Sequence, residues 1–211
     1  MGAQYAGYTS YILQYPSDQR SCQSVSKSMR IVIVSDTHGE LDHRIAEEVT
    51  DCDIVVHAGD IGGREVLDAL TPANGRLIAV RGNNDVRGKW QASDWALLES
   101  VPWEARVALP GGDLVVVHGH GYGAPGRCHD RIRRDYPDAR LVVYGHSHLA
   151  CTDQSATPWI LNPGVAGRVR TFGGPAFCVL SASISSWQLD ATRFPDDGNK
   201  VRSGLGRSAS A

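Results

Sequence analysis

Short β-branched runs recur along this chain, and each stops at a glycine, a carboxylate, an amide or an imidazole. Ile31–Val34 leads into Ser35-Asp36-Thr37-His38, Ile54–His57 into Ala58-Gly59-Asp60, and Leu77–Val80 into Arg81-Gly82-Asn83-Asn84-Asp85. Leu114–Val117 ends on His118-Gly119-His120, and Leu141–Tyr144 on Gly145-His146-Ser147-His148. Apolar runs of this length, bounded by turn residues, are the pattern of strands covered on both faces. Leu41–Val49 and Arg64–Leu70 carry apolar residues at helical spacing, and Ile132–Tyr136 reads as a third helix. Strands alternating with helices predict an α/β fold. Glu104–Leu109 and Leu114–Val117 flank Pro110-Gly111-Gly112, a hairpin signature, so the sheets should be mixed rather than wholly parallel. Trp159–Leu161, Ala176–Ser181 and Ser185–Leu189 read as further strands. In open α/β sheets ligands bind beyond the carboxyl ends of strands, so the five motifs should converge in space.

What would converge is a donor set: Asp36, His38, Asp60, Asn83, His118, His146 and His148. Mixed oxygen and imidazole donors suit borderline divalent metals, and seven are too many for one tetrahedral ion. The pattern therefore predicts a two-metal site, the arrangement used to hydrolyse phosphate esters. Mn²⁺ is the first choice for such donors, with Zn²⁺, Fe²⁺, Ni²⁺ and Mg²⁺ as alternatives.

The motifs D-x-H, G-D, G-N-x-D, H-G-H and G-H-x-H, in this order, resemble those of the calcineurin-like metallophosphoesterases. The resemblance spans about Met29 to Leu189 and is greatest to the small single-domain phosphodiesterases of that superfamily. It implies a four-layer α/β/β/α sandwich of two mixed β-sheets, with the dinuclear metal site at the C-terminal ends of the strands. By the same resemblance, Asp36, His38, Asp60 and His148 would bind one metal. Asp60, Asn83, His118 and His146 would bind the other, with Asp60 bridging. The implied reaction is in-line attack on a phosphodiester by a metal-bridging hydroxide, the ions being about 3.5–4 Å apart. Asp60, Asn83 and His120 would then act in the reaction itself. The wider superfamily often has a histidine after the asparagine of G-N-x-D, whereas this chain has Asn84, which cannot donate a proton as an acid. His120 is the remaining candidate for the acid, a role worth about 10²–10⁴ in rate. A phosphomonoesterase or nucleotidase is the alternative enzyme. The retromer scaffold subunit shares the fold as a protein-interaction module with a degraded metal site, but here every imidazole of the set is present.

Bulk properties narrow the partners. With 42% apolar and 21% charged residues, the 211-residue chain has the composition of one globular domain. Its net charge is −2; residues 1–28 and 195–211 each contribute +1, so the middle carries about −4. Such a surface disfavours long nucleic acid and leaves a small phosphorylated molecule as the expected substrate. Oligomeric state is not legible. Five scattered cysteines without a C-x-x-C pair fit a reducing cytoplasm, and no apolar run reaches membrane-spanning length. Residues 1–28 are rich in Ser, Gln and Tyr and read as a disordered extension, with the domain at 29–194 and Met29 a candidate start. Residues 195–211 read as a disordered tail.

Several residues near the motifs have structural readings instead. Asp85 is expected to brace the Gly82–Asn83 turn, and His57 to be a satisfied core residue. His43 and His129 read as surface residues, and Arg81 and Arg127 as ordinary surface or structural ion-pairing groups, with contact to a substrate phosphate as the alternative. Trp90, Trp95 and Trp103 are expected to cover the edge of the core, with an aromatic wall for a nucleoside as the alternative.

Overall fold

The computed structural model describes residues 28–123, 125–168 and 171–196. The expectations for 1–27 and 197–211 lie outside these residues. Among the described residues, ten strands form two five-stranded sheets. The first consists of β1 (Met29–Val34), β2 (Ile54–His57), β3 (Arg76–Ala79), β9 (Ala176–Ala182) and β10 (Trp187–Arg193), in spatial order β10-β9-β1-β2-β3. The second consists of β4 (Glu104–Leu109), β5 (Gly112–Val117), β6 (Leu141–Val143), β7 (Cys151–Asp153) and β8 (Trp159–Asn162), in order β4-β5-β6-β8-β7. Each sheet has three parallel strands (β1, β2 and β3; β5, β6 and β8) flanked by antiparallel ones. Both sheets are mixed, as the hairpin signature predicts.

The two-residue period of the strands explains the layers. Ile31, Ile33, Ile54 and Val56 face inward and meet Leu114, Val116, Leu141 and Val143 of the other sheet in one core. Val32, Val34 and Val55 face outward, where Ile45, Val66, Leu67 and Leu98 cover them. These covering residues belong to α1 (His43–Glu48), α2 (Arg64–Ala69) and α3 (Trp95–Ser100). On the far side, Val115, Val142 and Ile160 pack under Cys128 and Ile132 of α4 (Pro125–Asp135). The result is an α/β/β/α sandwich. Strands buried on both faces need no polar alternation, which is why their sequences are nearly uninterrupted aliphatic runs.

Several boundaries differ from expectation. Helix α1 begins only at His43, because the Asp42 carboxylate caps it by accepting from the Arg44 amide. Helix α4 is much longer than Ile132–Tyr136: its buried face is sparse, so the apolar period is visible only near its end. Helix α3 and the three-residue edge strand β7 carry too little periodic signal to be read. No helix among the described residues is long and apolar enough to cross a membrane.

Candidate metal centre

The parallel strands end on one side of the sandwich, and the motif loops are tied to each other there. Asp36 donates its backbone N–H to the Gly59 carbonyl at 2.9 Å, and His38 donates to the Asp60 carbonyl at 2.9 Å. These bonds hold the loops after β1 and β2 side by side. Within the second sheet, the Gly145 amide donates to the His118 carbonyl at 3.1 Å, which ties the loops after β5 and β6 together. Close approach of these loops requires bare backbone at Gly82, where an added Cβ would lie 2.1 Å from Asp60 Oδ1.

Five non-glycine residues among those described have left-handed backbone: Asp36, His38, Asp60, His146 and His148, with φ between 50° and 66°. All five belong to the expected donor set. Each costs on the order of 1 kcal/mol or more and persists only where surrounding contacts impose it, a pattern concentrated at functional sites.

One half of the set closes tightly. Ligand atoms of Asp36, His38, Asp60 and His148 all lie within 4.8 Å of one another, an arrangement that could hold a metal ion. The Nε2 atoms of His38 and His148 are 3.1 Å apart, and His148 Nε2 lies 3.5 Å from Asp36 Oδ1. Asp36 is fully buried and oriented by the Ser35 hydroxyl at 2.6 Å and the His146 amide at 3.1 Å. Burial pushes its carboxyl up to about 7, with His118 and Ser35 only partly offsetting the loss of water. A cation bound beside it would offset the cost of burial and keep the carboxylate ionised.

The other half is centred on His118, whose Nδ1–H donates to the Ala58 carbonyl at 2.9 Å. That bond fixes the tautomer, as outer partners of ligating histidines commonly do. The Nε2 lone pair then faces Asn83 Oδ1 at 3.1 Å and Asp60 Oδ1 at 3.4 Å. Three acceptor atoms converge, and only a proton on Nε2 or a cation resolves that. Burial alone would raise the Asp60 pKa, but with a second proton on His118, at Nε2, the His118 and Asn84 hydrogen bonds outweigh it and hold the carboxyl well below the usual range. His146 stands further off and exposed, its ring centroid 5.3 Å from that of His118. His120 is exposed too, with ring centroids 5.7 Å from His118 and 6.0 Å from Trp103. Burial and then the His118 charge lower the pKa of both His120 and His146.

The motif order and this geometry agree with the family comparison. The family model for the calcineurin-like phosphoesterase superfamily domain matches residues 29–184. This chain belongs to that superfamily. As a calcineurin-like phosphoesterase domain, it is 26% identical to the probable metallophosphoesterase MJ0623 of Methanocaldococcus jannaschii, over 80% of this chain and 82% of that protein. It is 29% identical to the phosphodiesterase YfcE of Escherichia coli K12, over 70% of this chain and 84% of that protein. Among solved structures it resembles Vps29 of Chaetomium thermophilum, with a TM-score of 0.66, 17% identity, and 81% of this chain and 91% of that one covered. At that identity the likeness concerns the fold alone.

Within this calcineurin-like domain, the neighbouring residues have defined roles. Asp85 accepts hydrogen bonds from the amides of Ile61, Gly62 and Gly82 and from the Trp90 indole, at 2.8–3.1 Å, and so braces the turn as expected. His57 is buried and satisfied: it accepts from the Gly59 amide at 3.2 Å and donates to the Thr37 hydroxyl at 2.8 Å. Arg81 binds the Val101 and Glu99 carbonyls and stacks on Trp103. Trp90 is buried, whereas Trp103 is 53% exposed, beside His120. His129 is not a surface residue. Its side chain is only 20% exposed and bridges Asp153 and the Tyr144 hydroxyl, because α4 begins earlier than its apolar pattern suggests. Sequence reasoning also missed Lys89, whose ammonium donates to Asn84 Oδ1 at the rim of the site. No motif contains it, and it lies five positions along the chain from its partner.

Proposed function

We propose that this chain is a phosphodiesterase working with two divalent metal ions, Mn²⁺ first among the candidates, held on either side of Asp60. Asp36, His38, Asp60 and His148 would hold one, and Asp60, Asn83, His118 and His146 the other. The observation that carries this reading is the aspect of Asp60. Its Oδ1 lies 3.4 Å from His118 Nε2, and its Oδ2 lies 3.8 Å from His38 Nε2, so one carboxylate offers an oxygen to each half. Bound there, the ions would supply positive charge for the phosphoryl oxygens and a water acidic enough to attack at neutral pH.

The chain's own groups supply the orientation. Ala58 keeps the His118 lone pair aimed inward, Ser35 and the His146 amide hold Asp36, and Asn83 contributes a neutral oxygen that limits negative charge. His120 stands at the edge of the site as the proton donor to the leaving group. Its lowered pKa leaves little of it protonated at neutral pH, which favours diesters whose leaving groups are stable as anions. The names of relatives such as YfcE support a diester substrate. The presence in the sequence of all seven expected donors weighs against a scaffold role, despite the Vps29-like fold. The free cysteines Cys52, Cys128, Cys151 and Cys178 suit a cytoplasmic setting.

Purified protein should be assayed with bis(p-nitrophenyl) phosphate and p-nitrophenyl phosphate, with Mn²⁺, Zn²⁺, Fe²⁺, Ni²⁺ or Mg²⁺. Faster turnover of the diester with Mn²⁺ is expected. Preference for the monoester would transfer the reading to a phosphomonoesterase, and inactivity with every metal would favour the scaffold.

A further inference from the structure

We propose that Lys89 binds the anionic oxygens of the substrate's phosphoryl group, with Asn84 as the side chain that positions it. This deepens the phosphodiesterase reading and rests on it.

A cleft of about 310 Å³ opens beside Asp60, lined by His38, Asp60, Gly62, Asn84 and Lys89. Its size is at the small end of ligand sites, and it presents charged and polar groups rather than rings or aliphatic chains. A compact anion fits such a lining; a nucleobase or an acyl chain does not. At Gly62 an added Cβ would lie 2.2 Å from the Gly39 nitrogen, so this wall of the cleft is bare backbone.

Asn84 determines where the ammonium sits. Its backbone N–H donates to Asp60 Oδ1 at 2.8 Å and its side-chain Nδ2 to Asp60 Oδ2 at 2.6 Å. The amide is thereby oriented with its Oδ1 turned away from Asp60, and that oxygen accepts from Lys89 Nζ. The ammonium is held one amide away from the shared carboxylate, in a cleft that His38 also lines.

Arg87 is neutralised by Glu99, and Arg64 by Asp94 at 2.8 Å, while Arg81 is taken up by the Val101 and Glu99 carbonyls and the Trp103 ring. Among the described residues, Lys89 forms no ion pair with a carboxylate; its ammonium donates to the neutral Asn84 Oδ1. An ammonium has three donors, of which Asn84 takes one. A lysine with its charge uncompensated, at the rim of a polar cleft, binds a phosphate oxygen as a point charge. Asn84 has no proton to give as an acid, so Lys89 is the source of charge on this side of the site.

The test uses the full chain loaded with Mn²⁺, with Lys89→Met and Lys89→Arg. Binding of inorganic phosphate is measured by calorimetry, hydrolysis with methyl p-nitrophenyl phosphate, and metal content by mass spectrometry. Lys89→Met should weaken phosphate binding and lower kcat/KM by about 10- to 100-fold, the range for a lost charge-assisted hydrogen bond. Metal content should be unchanged, and Lys89→Arg should recover most of the phosphate affinity. Unchanged phosphate affinity in Lys89→Met would overturn the assignment. So would equal losses in both variants, or loss of metal, which would mean that Lys89 only tethers Asn84. Wild-type protein that binds phosphate through Lys89 but hydrolyses no ester would count against the phosphodiesterase reading and leave this assignment standing.

Discussion

The two halves of the candidate centre use the same residue types but close to different degrees. Asp36, His38, Asp60 and His148 gather within 4.8 Å, and their imidazole nitrogens lie 3.1 Å apart. In the other half, Asp60, Asn83 and His118 converge, while His146 stands exposed with its ring 5.3 Å from His118. The difference follows from the loops. Asp36 and His38 sit on a segment bonded amide by amide to the loop bearing Asp60, so three donors are positioned by one local framework. Asn83, His118 and His146 come from three separate loops of two sheets, joined by the Gly145–His118, His118–Ala58 and Asn84–Asp60 bonds, and His146, on the same loop as His148, stands exposed. Preorganisation of a donor set therefore depends on how many backbone bonds link its loops, and the first half should bind its ion more tightly.

The largest expected effect falls on the residue common to both halves. Asp60→Asn should reduce kcat/KM for a diester by about 10³-fold or more, since the charge stabilisation lost at such a site is several kcal/mol. Near-normal turnover would show that the halves do not share a donor. A smaller effect separates them. His148→Ala should weaken the tighter metal position by about 100-fold, and His146→Ala the weaker one by about tenfold, as judged by competition with a chelating dye. Equal losses would mean that the difference in closure has no thermodynamic counterpart.

The smallest effect concerns the frame beneath both halves. Gly59 N–H donates to His57 Nδ1, His57 donates to Thr37, and Thr37 donates to the Ile61 carbonyl at 2.8 Å, so protonating His57 removes the acceptor for Gly59. Burial lowers its pKa from 6.5 to about 4. Between those values the unfolded chain binds the proton and the folded chain does not, so stability is full above pH 6.5 and falls as the pH drops towards 4. The slope should reach about 1.4 kcal/mol per pH unit. The raised Asp36 carboxyl contributes the opposite slope over the same range, so the His57 contribution is read as the difference between denaturant titrations of wild type and His57→Gln; a difference that does not change with pH would contradict it.

Much of this was legible because buried strands and their ends leave local signals. Ile54–His57 and Glu104–Leu109 have the boundaries that their composition implies, and every motif stands where a strand stops. The converging donors were legible as residue types, since Asp and His beside glycine at a strand end are what a left-handed turn around a cation requires. What escaped detection depends on tertiary contact alone. Strand β7 is too short for a period, α4 hides most of its length behind polar residues, and His129 is covered only because Asp153 of β7 comes to meet it. Lys89 was missed for a related reason: its importance lies in the orientation of Asn84, which a sequence does not reveal.

The central claim is that one carboxylate divides its two oxygens between two ions. Native mass spectrometry of Mn²⁺-loaded wild type and Asp60→Asn, each confirmed to be folded by circular dichroism, tests it most directly. The account predicts two ions per wild-type chain and depletion of both in the variant. A single ion in the wild type, or two retained by Asp60→Asn, would contradict it.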